Sequence, residues 1–489
     1  MSELRVAEHL VLVDVDEASV GPWWPKRPVE KMFRTYDQDQ PMLLAPDIRD
    51  WLAAGHPARW VDALVEDGLD LGPIYDDYTD VRGGPPYDPR LMVKILIYGY
   101  SHGITSSRAL EWRCHDDIAF GFLTAQQAPD FVAISRFRAR HAEAFKELFI
   151  QSLALCAKAG LVSLGRVALD GSRIRASASR HRAMSYDRMV RAEAELAAEV
   201  EALLAGAERL DAAEDAAYGA DRRGDELPAE LALREGRLAA IRQAKAALEA
   251  EHRTKARAAA ELAAIEHGQE PEQATAAGDV AEATAVVPAK AQRSFTDPDA
   301  RIMKTSDGSF HYCYNAQTIV DERSQVILSS MLRPSGADCP ALPDMLTRLK
   351  ASLAAAGIGG LPTTVLADAG YFSADNVTAV TQAGMDPLLA TGRLTHGQKP
   401  AAAPRGRIPK DLTPKQRMTR KLQTLKGKAD YARRKAIVEP VFGQMKVAQH
   451  AGQFRLRGTD KTDGEWALHT FCHNLRKLQN AGWTPQMVI

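Results

Sequence analysis

Asp170, Asp368 and Glu439 are the acidic residues whose surroundings point to chemistry. Asp170 ends the apolar run Arg166-Val-Ala-Leu and precedes Gly171-Ser172, while Asp368 ends Thr364-Val-Leu-Ala and precedes Ala369-Gly370-Tyr371. Glu439 follows a basic, helix-compatible stretch, Tyr431-Ala-Arg-Arg-Lys-Ala-Ile-Val. Two carboxylates at strand ends and one on a helix suit Mg²⁺, which takes oxygen ligands, needs few from the protein and keeps several waters. Two such ions about 3.5–4 Å apart activate an attacking oxygen and stabilise a leaving one at a phosphodiester. Without metal, two carboxylates about 4 Å apart repel by about 4 kcal/mol at an effective dielectric near 20. Gathering them is therefore a poor way to stabilise a fold and a good way to hold cations, with Mn²⁺ as a substitute. Each acid alone also has a plainer reading. Asp170-Gly171 can be a turn, Asp368 a cap for a helix near Ser373, and Glu439 a surface residue.

Other polar positions cluster near these three. Arg173 and Arg175 alternate on the strand that carries Asp170, and Asn315 and Gln317 share one face of a second strand. Amides there can bind phosphate or orient a carboxylate. On a helix, Lys435, Glu439 and Lys446 share a face suited to anionic DNA, although Pro440 must either kink that helix or begin it. Arg455 and Arg457 add positive charge beyond it. His469, His473 and Asn474 follow Trp466 at helical spacing and read as a packed terminal helix.

These residues need elements to position them. A chain of 489 residues, 45% hydrophobic, is expected to form roughly three domains. Ile134 to Phe149 reads as the third of three early helices, after one from Pro89 and one from Ser106 to Cys114. Ser135, Arg136, Arg138, Arg140 and His141 lie along it where a recognition helix meets DNA. An ordinary bundle with a charged face is the alternative. Residues 164–176 read as a strand. From Tyr186 to Ala217, and again from Pro228 through Leu262, apolar residues recur at helical spacing, which predicts a helical hairpin broken at 219–227. His311–Val320 and Gln325–Leu332 form a predicted β-hairpin. Helix, strand, helix, short strand, basic loop and helix follow, the last from about Asp430 to His450.

With the insertion removed, this is the order of an RNase H-like core. The expected architecture is α/β. An N-terminal helical DNA-binding domain occupies 1–155, and the RNase H-like domain, a mixed sheet flanked by helices, takes 160–184 and 300–489. The helical-hairpin insertion spans 185–268 and a flexible linker 269–299. Net charge is −1, but the segment from Gly392 to Asp460 holds 17 Lys/Arg against 4 Asp/Glu, an excess able to bind phosphates. The five cysteines are scattered with no Cys-x-x-Cys pair, which supports neither a zinc knuckle nor a disulfide framework. No signal-peptide pattern or membrane-length apolar run is evident, so a cytoplasmic, nucleoid-associated protein is expected.

Together these motifs resemble the DDE transposases of bacterial insertion sequences, in the branch with a Tyr/Arg/Glu/Lys pattern around the last acid. Phe33-Arg-Thr-Tyr-Asp-Gln-Asp-Gln, Pro85-Pro-Tyr-Asp-Pro-Arg, Gly103-Ile-Thr-Ser-Ser-Arg and Ile134-Ser-Arg-Phe-Arg resemble its N-terminal domain. Ala168-Leu-Asp-Gly-Ser, Tyr314-Asn-Ala-Gln, Ala367-Asp-Ala-Gly-Tyr-Phe-Ser, Val438-Glu-Pro-Val-Phe-Gly-Gln-Met-Lys446 and His473-Asn-Leu resemble its catalytic core. The resemblance implies that Asp170, Asp368 and Glu439 bind Mg²⁺ and catalyse, and that Lys446 is the family lysine. The family arginine has three residues between itself and the glutamate. Lys435 stands there, whereas Tyr431 and Arg434 keep the Tyr-x-x-Arg spacing one residue upstream, so either cation can be the phosphate contact. Also implied are metal-dependent strand cleavage and strand transfer at the element's ends, double-stranded terminal repeats and target DNA as partners, and a homodimer or larger synaptic complex. The residues alone leave two alternatives: an RNase H-like structure-specific nuclease, or a non-catalytic DNA-binding derivative of a transposase.

Overall fold

The computed structural model describes residues 47–79, 85–178, 183–218, 229–392, 403–404, 406, 408–409 and 411–485. The Phe33 motif and the break expected at 219–227 lie outside the described residues. In chain order the elements begin with α1 (Pro57–Ala63), α2 (Gly72–Tyr75), α3 (Pro89–Ser101), α4 (Ser107–Asp116), α5 (Ile118–Leu123), α6 (Phe131–Arg140) and α7 (Ala144–Lys158). Then come β1 (Arg166–Arg175), β2 (Ala183–Ser185), α8 (Tyr186–Tyr218), α9 (Ala229–Glu266), α10 (Pro271–Ala283), β3 (Gln292–Ser294), β4 (Arg301–Lys304), β5 (Phe310–Asp321) and β6 (Ile327–Arg333). Last are α11 (Ala341–Ala355), β7 (Thr364–Ala367), α12 (Ala374–Gln382), β8 (Asp386–Leu389), α13 (Pro414–Gln423), α14 (Leu425–Val447) and α15 (Thr459–Asn480).

The main sheet runs β6-β5-β1-β7-β8, with β4 pairing the first residues of β5 on the side that β6 also uses. β5 is antiparallel to both β1 and β6, whereas β1, β7 and β8 are mutually parallel. This is the RNase H-like mixed sheet, with the insertion entering between β1 and β5. The carboxyl ends of β1, β6 and β7 therefore share one edge, where ligands collect in open α/β sheets. The opposite problem, an unpaired outer strand, is solved by α15. Asn474 accepts from the Ile327 N–H at 2.9 Å and donates to the Ile327 carbonyl at 3.0 Å. Asp463 accepts from the Leu332 N–H at 2.9 Å.

Four expectations need correction. The third early helix is two helices, α6 and α7, split at residues 141–143. There the α15 backbone crosses so closely that a Cβ on Gly464 would lie 2.2 Å from the Ala142 carbonyl. The stretch expected as a flexible linker instead carries α10, which packs back on α9 and is tied to it by Arg257–Glu282 at 2.9 Å. It also carries β3, which pairs with β2 to close the base of the insertion. The basic loop before Asp430 holds α13, opened by a capping box between Thr413 and Gln416, and α14 starts earlier, at Leu425. Finally, Met189, Leu196, Leu238, Ile241 and Leu248 do form the insertion's own small core, but Leu262 is 59% exposed. The N-terminal helices share one continuous core with the sheet, in which α3 and α7 pack on α15.

Candidate active site

Leu169 pairs in register with Ala367, so Asp368, the first residue past β7, lies beside Asp170, which stays within β1 as that strand runs on to Arg175 against β5. Asp170 is held twice: its Oδ1 accepts from the Gly171 N–H at 2.8 Å and its Oδ2 from Arg434 Nη1 at 2.9 Å. Burial pushes the Asp170 carboxyl above the usual carboxylate value, Arg434 and the Gly171 N–H pull it back, and Asp368 pushes it up again. Asp368 is half-buried, and its Oδ1 accepts from the Gly370 N–H at 2.8 Å. It caps a single turn at Ala369–Tyr371, whereas Ser373 caps the following helix α12.

The two aspartates line an open polar cleft with Gly171, Ser172, Arg173, Lys304, Asn315, Asp338 and Lys446. Lys446 is half-buried, and that burial lowers its pKa. Arg173 and Lys304 continue the cleft into a neighbouring trough of about 670 Å³, lined also by Lys255, Arg301 and Glu251. Arg175 lies alongside the loop that carries Arg455 and Arg457, since its carbonyl accepts from the Phe454 N–H at 2.8 Å. Arg175, Arg455 and Arg457 are all exposed there.

Of the two candidate cations, Arg434 is the one in the site: it pairs with Asp170 and its side chain is 11% exposed. Lys435, one residue on, is exposed. Tyr431 is half-buried beside Arg434, and burial raises its pKa. Glu439 is exposed on α14 and lies outside the cleft lining. It stands between Arg434 and Lys446, both of which reach the cleft. Among the described residues no group of three or more His, Cys, Asp or Glu side chains is already set to hold a metal ion. The donor set at the cleft, carboxylate oxygens in open polar surroundings, is the chemistry that Mg²⁺ or Mn²⁺ takes.

On α6, Arg136 is exposed and available. Arg138 is not, and its placement on a DNA-facing surface is corrected. It is 3% exposed. Its Nη1 donates to the Tyr100 hydroxyl at 2.8 Å and the Thr105 carbonyl at 2.7 Å, and its Nη2 donates to Ser107 at 3.1 Å. Tyr100 in turn donates to buried Glu465 at 3.1 Å, so Arg138 serves a buried charge network. His141 is buried as well. His469 and His473 are buried in α15, as the terminal-helix reading required.

Asp338, in the loop after β6, was missed by the sequence reading. Its Oδ1 accepts from Asn315 Nδ2 at 2.7 Å and Gln317 Nε2 at 3.0 Å. The amides on β5 do orient a carboxylate, one not singled out in advance. The signal was an acid following a third strand whose carboxyl end lies at the same edge.

An RNase H-like sheet with two neighbouring aspartates and cations around them is the setting found in enzymes that cut or join nucleic acid strands. Two family models match the chain: a transposase domain (DUF772) over residues 46–140 and a transposase DDE domain over residues 287–475. Together they span more than half of it, and the chain belongs to the DDE transposases of insertion sequences. The second match contains Asp368 and Glu439; Asp170 lies in neither. No curated protein and no solved structure matches the chain. No helix among the described residues is long and apolar enough to cross a membrane.

Proposed function

We propose that this transposase cuts and rejoins DNA at the ends of its own element, with Asp170, Asp368 and Glu439 as the catalytic acids. The observation that carries this reading is the pairing of Asp170 with Asp368 on adjacent strands, flanked by Arg434 and Lys446. Mg²⁺ or Mn²⁺ bound by the acids supplies the positive charge that activates the attacking oxygen and neutralises the leaving one. Glu439 completes the set from α14 when DNA occupies the cleft. Until then Arg434 compensates the charge of Asp170, and with DNA present Arg434 and Lys446 face the phosphate.

The chemistry has two displacements at phosphorus. A water oxygen attacks, the P–O3′ bond breaks and a 3′-hydroxyl is released at the element end. That hydroxyl then attacks a target phosphodiester, a new P–O3′ bond forms and a target 3′-hydroxyl leaves. Arg173 and Lys304 in the trough, and Arg175, Arg455 and Arg457 beside it, bind flanking phosphates. Arg136 and its helix α6 contact the terminal repeats. Two ends must be brought together, so the working form is a homodimer or larger.

The test uses purified protein, Mg²⁺ and DNA ending in the inverted repeats that flank the gene. Strand nicking followed by joining to a target plasmid is expected. Hydrolysis without joining would identify a nuclease, and binding without cleavage a non-catalytic derivative.

A further inference from the structure

The two aspartates have a feature in common besides their neighbourhood: a glycine, one residue after Asp170 and two after Asp368, is pressed against the same hydrogen-bond network. A Cβ on Gly171 would lie 2.3 Å from Gln317 Nε2 and 2.8 Å from Asn315 Oδ1. A Cβ on Gly370 would lie 3.0 Å from Asp368 Oδ1 and 3.2 Å from Asp338 Oδ2. The network has Asp338 at its centre. Its Oδ1 takes both β5 amides, and Gln317 accepts from the buried Tyr371 hydroxyl through Oε1. A second stitch lies behind it. Buried Asn376 donates to the Cys339 carbonyl at 2.8 Å and to the Tyr371 carbonyl at 2.7 Å, joining the Asp338 loop to the Asp368 turn.

We infer that Asp338 is the positioning residue for both aspartates. Through Asn315 and Gln317 it fixes the backbone at Gly171, and through its second oxygen it braces the Gly370 turn that aims Asp368. Supporting groups of this kind typically change metal affinity or activity by about 10–100-fold when removed. The inference rests on the proposed roles of Asp170 and Asp368 and adds a residue that neither family pattern nor spacing assigned.

The variants are Asp338→Ala and Asp338→Asn in the full-length protein. Asn keeps an oxygen to accept both amides, while Ala leaves Asn315 and Gln317 without their acceptor. Asp338→Ala is expected to lower the kcat of end cleavage about 10–100-fold, with KM for end DNA and the thermal midpoint little changed. Mn²⁺ affinity, read directly by the paramagnetic signal of free Mn²⁺, should weaken in parallel. Asp338→Asn should recover most of both. The inference is overturned if Asp338→Ala cleaves normally, if its activity falls only as far as its folded fraction does, or if Asp338→Asn is as impaired as Asp338→Ala. The last result would make the charge itself the requirement. Asp170→Ala and Asp368→Ala run alongside: cleavage retained by either would remove the underlying reading, whereas their loss with a normal Asp338→Ala would remove only this inference.

Discussion

At the scale of single residues, the site depends on what has no side chain and on which cation turns inward. Gly171 has no room for a methyl group against Gln317 and Asn315, so Gly171→Ala should destabilise by about 1–3 kcal/mol and abolish cleavage. Urea denaturation and an end-nicking assay read the two effects; an unchanged midpoint would show that β5 yields without cost. Arg434→Ala should lose most cleavage and Lys435→Ala little, because only Arg434 reaches Asp170. Comparable losses would contradict that division. The sequence spacing left the two cations equal because one residue along a helix turns a side chain by about 100°, and only the docking of α14 decides which turns inward. Asp170 and Asp368 were legible because each ends an apolar run, and a run of that kind has one predictable exit. Arg138 was misread because a basic residue on an amphipathic helix looks the same whether it meets a phosphate or a buried Glu465. Arg138→Ala should therefore cost about 3–5 kcal/mol by stranding a buried charge, seen as a lowered denaturation midpoint, and should not act as a simple DNA-contact variant.

Among the elements, α14 carries the greatest functional weight and one irregularity. Pro440 sits inside it, so the Ala436 carbonyl one turn earlier has no helical donor. Gln325 Nε2 donates to that carbonyl at 3.0 Å instead. Pro440→Ala restores the helical N–H and should raise stability by about 1–3 kcal/mol, measured by thermal or urea unfolding. A lower stability would mean that the tie to Gln325 matters more than the helix bond. The β-hairpin was readable within a residue or two, and the order β7, α12, β8 was readable as well, because alternation and turn residues mark them. α13 was also readable, since Thr413-Pro-Lys-Gln416 is a helix start, but the density of positive charge suggested a loop. α10 was hidden by low-complexity composition. It becomes a helix because α9 offers it a face and an ion-pair partner in Arg257, which are tertiary facts.

For the whole molecule, the N-terminal helices and the sheet are one packed body joined through α15. Sequence reading separated them because each stretch has its own periodicity, and a shared core is invisible until the terminal helix is placed between them. That burial has a pH signature. His469 is pushed down to about 3 and His473 to about 4, in both cases chiefly by burial. With folded values below the unfolded value of about 6.5, the unfolded chain binds protons first as pH falls. Stability should be full above about pH 6.5 and decline below it, by up to about 1.4 kcal/mol per pH unit for each histidine. Urea midpoints at pH 7.5 and 5.5 read this, and a flat profile would contradict it. The most direct measurement of the central claim is anomalous scattering from Mn²⁺ in crystals of the protein bound to element-end DNA. Two manganese peaks about 3.5–4 Å apart, touched by carboxylate oxygens of Asp170, Asp368 and Glu439, are expected. Manganese bound elsewhere, or Glu439 still turned away from ions held at the two aspartates, would contradict it.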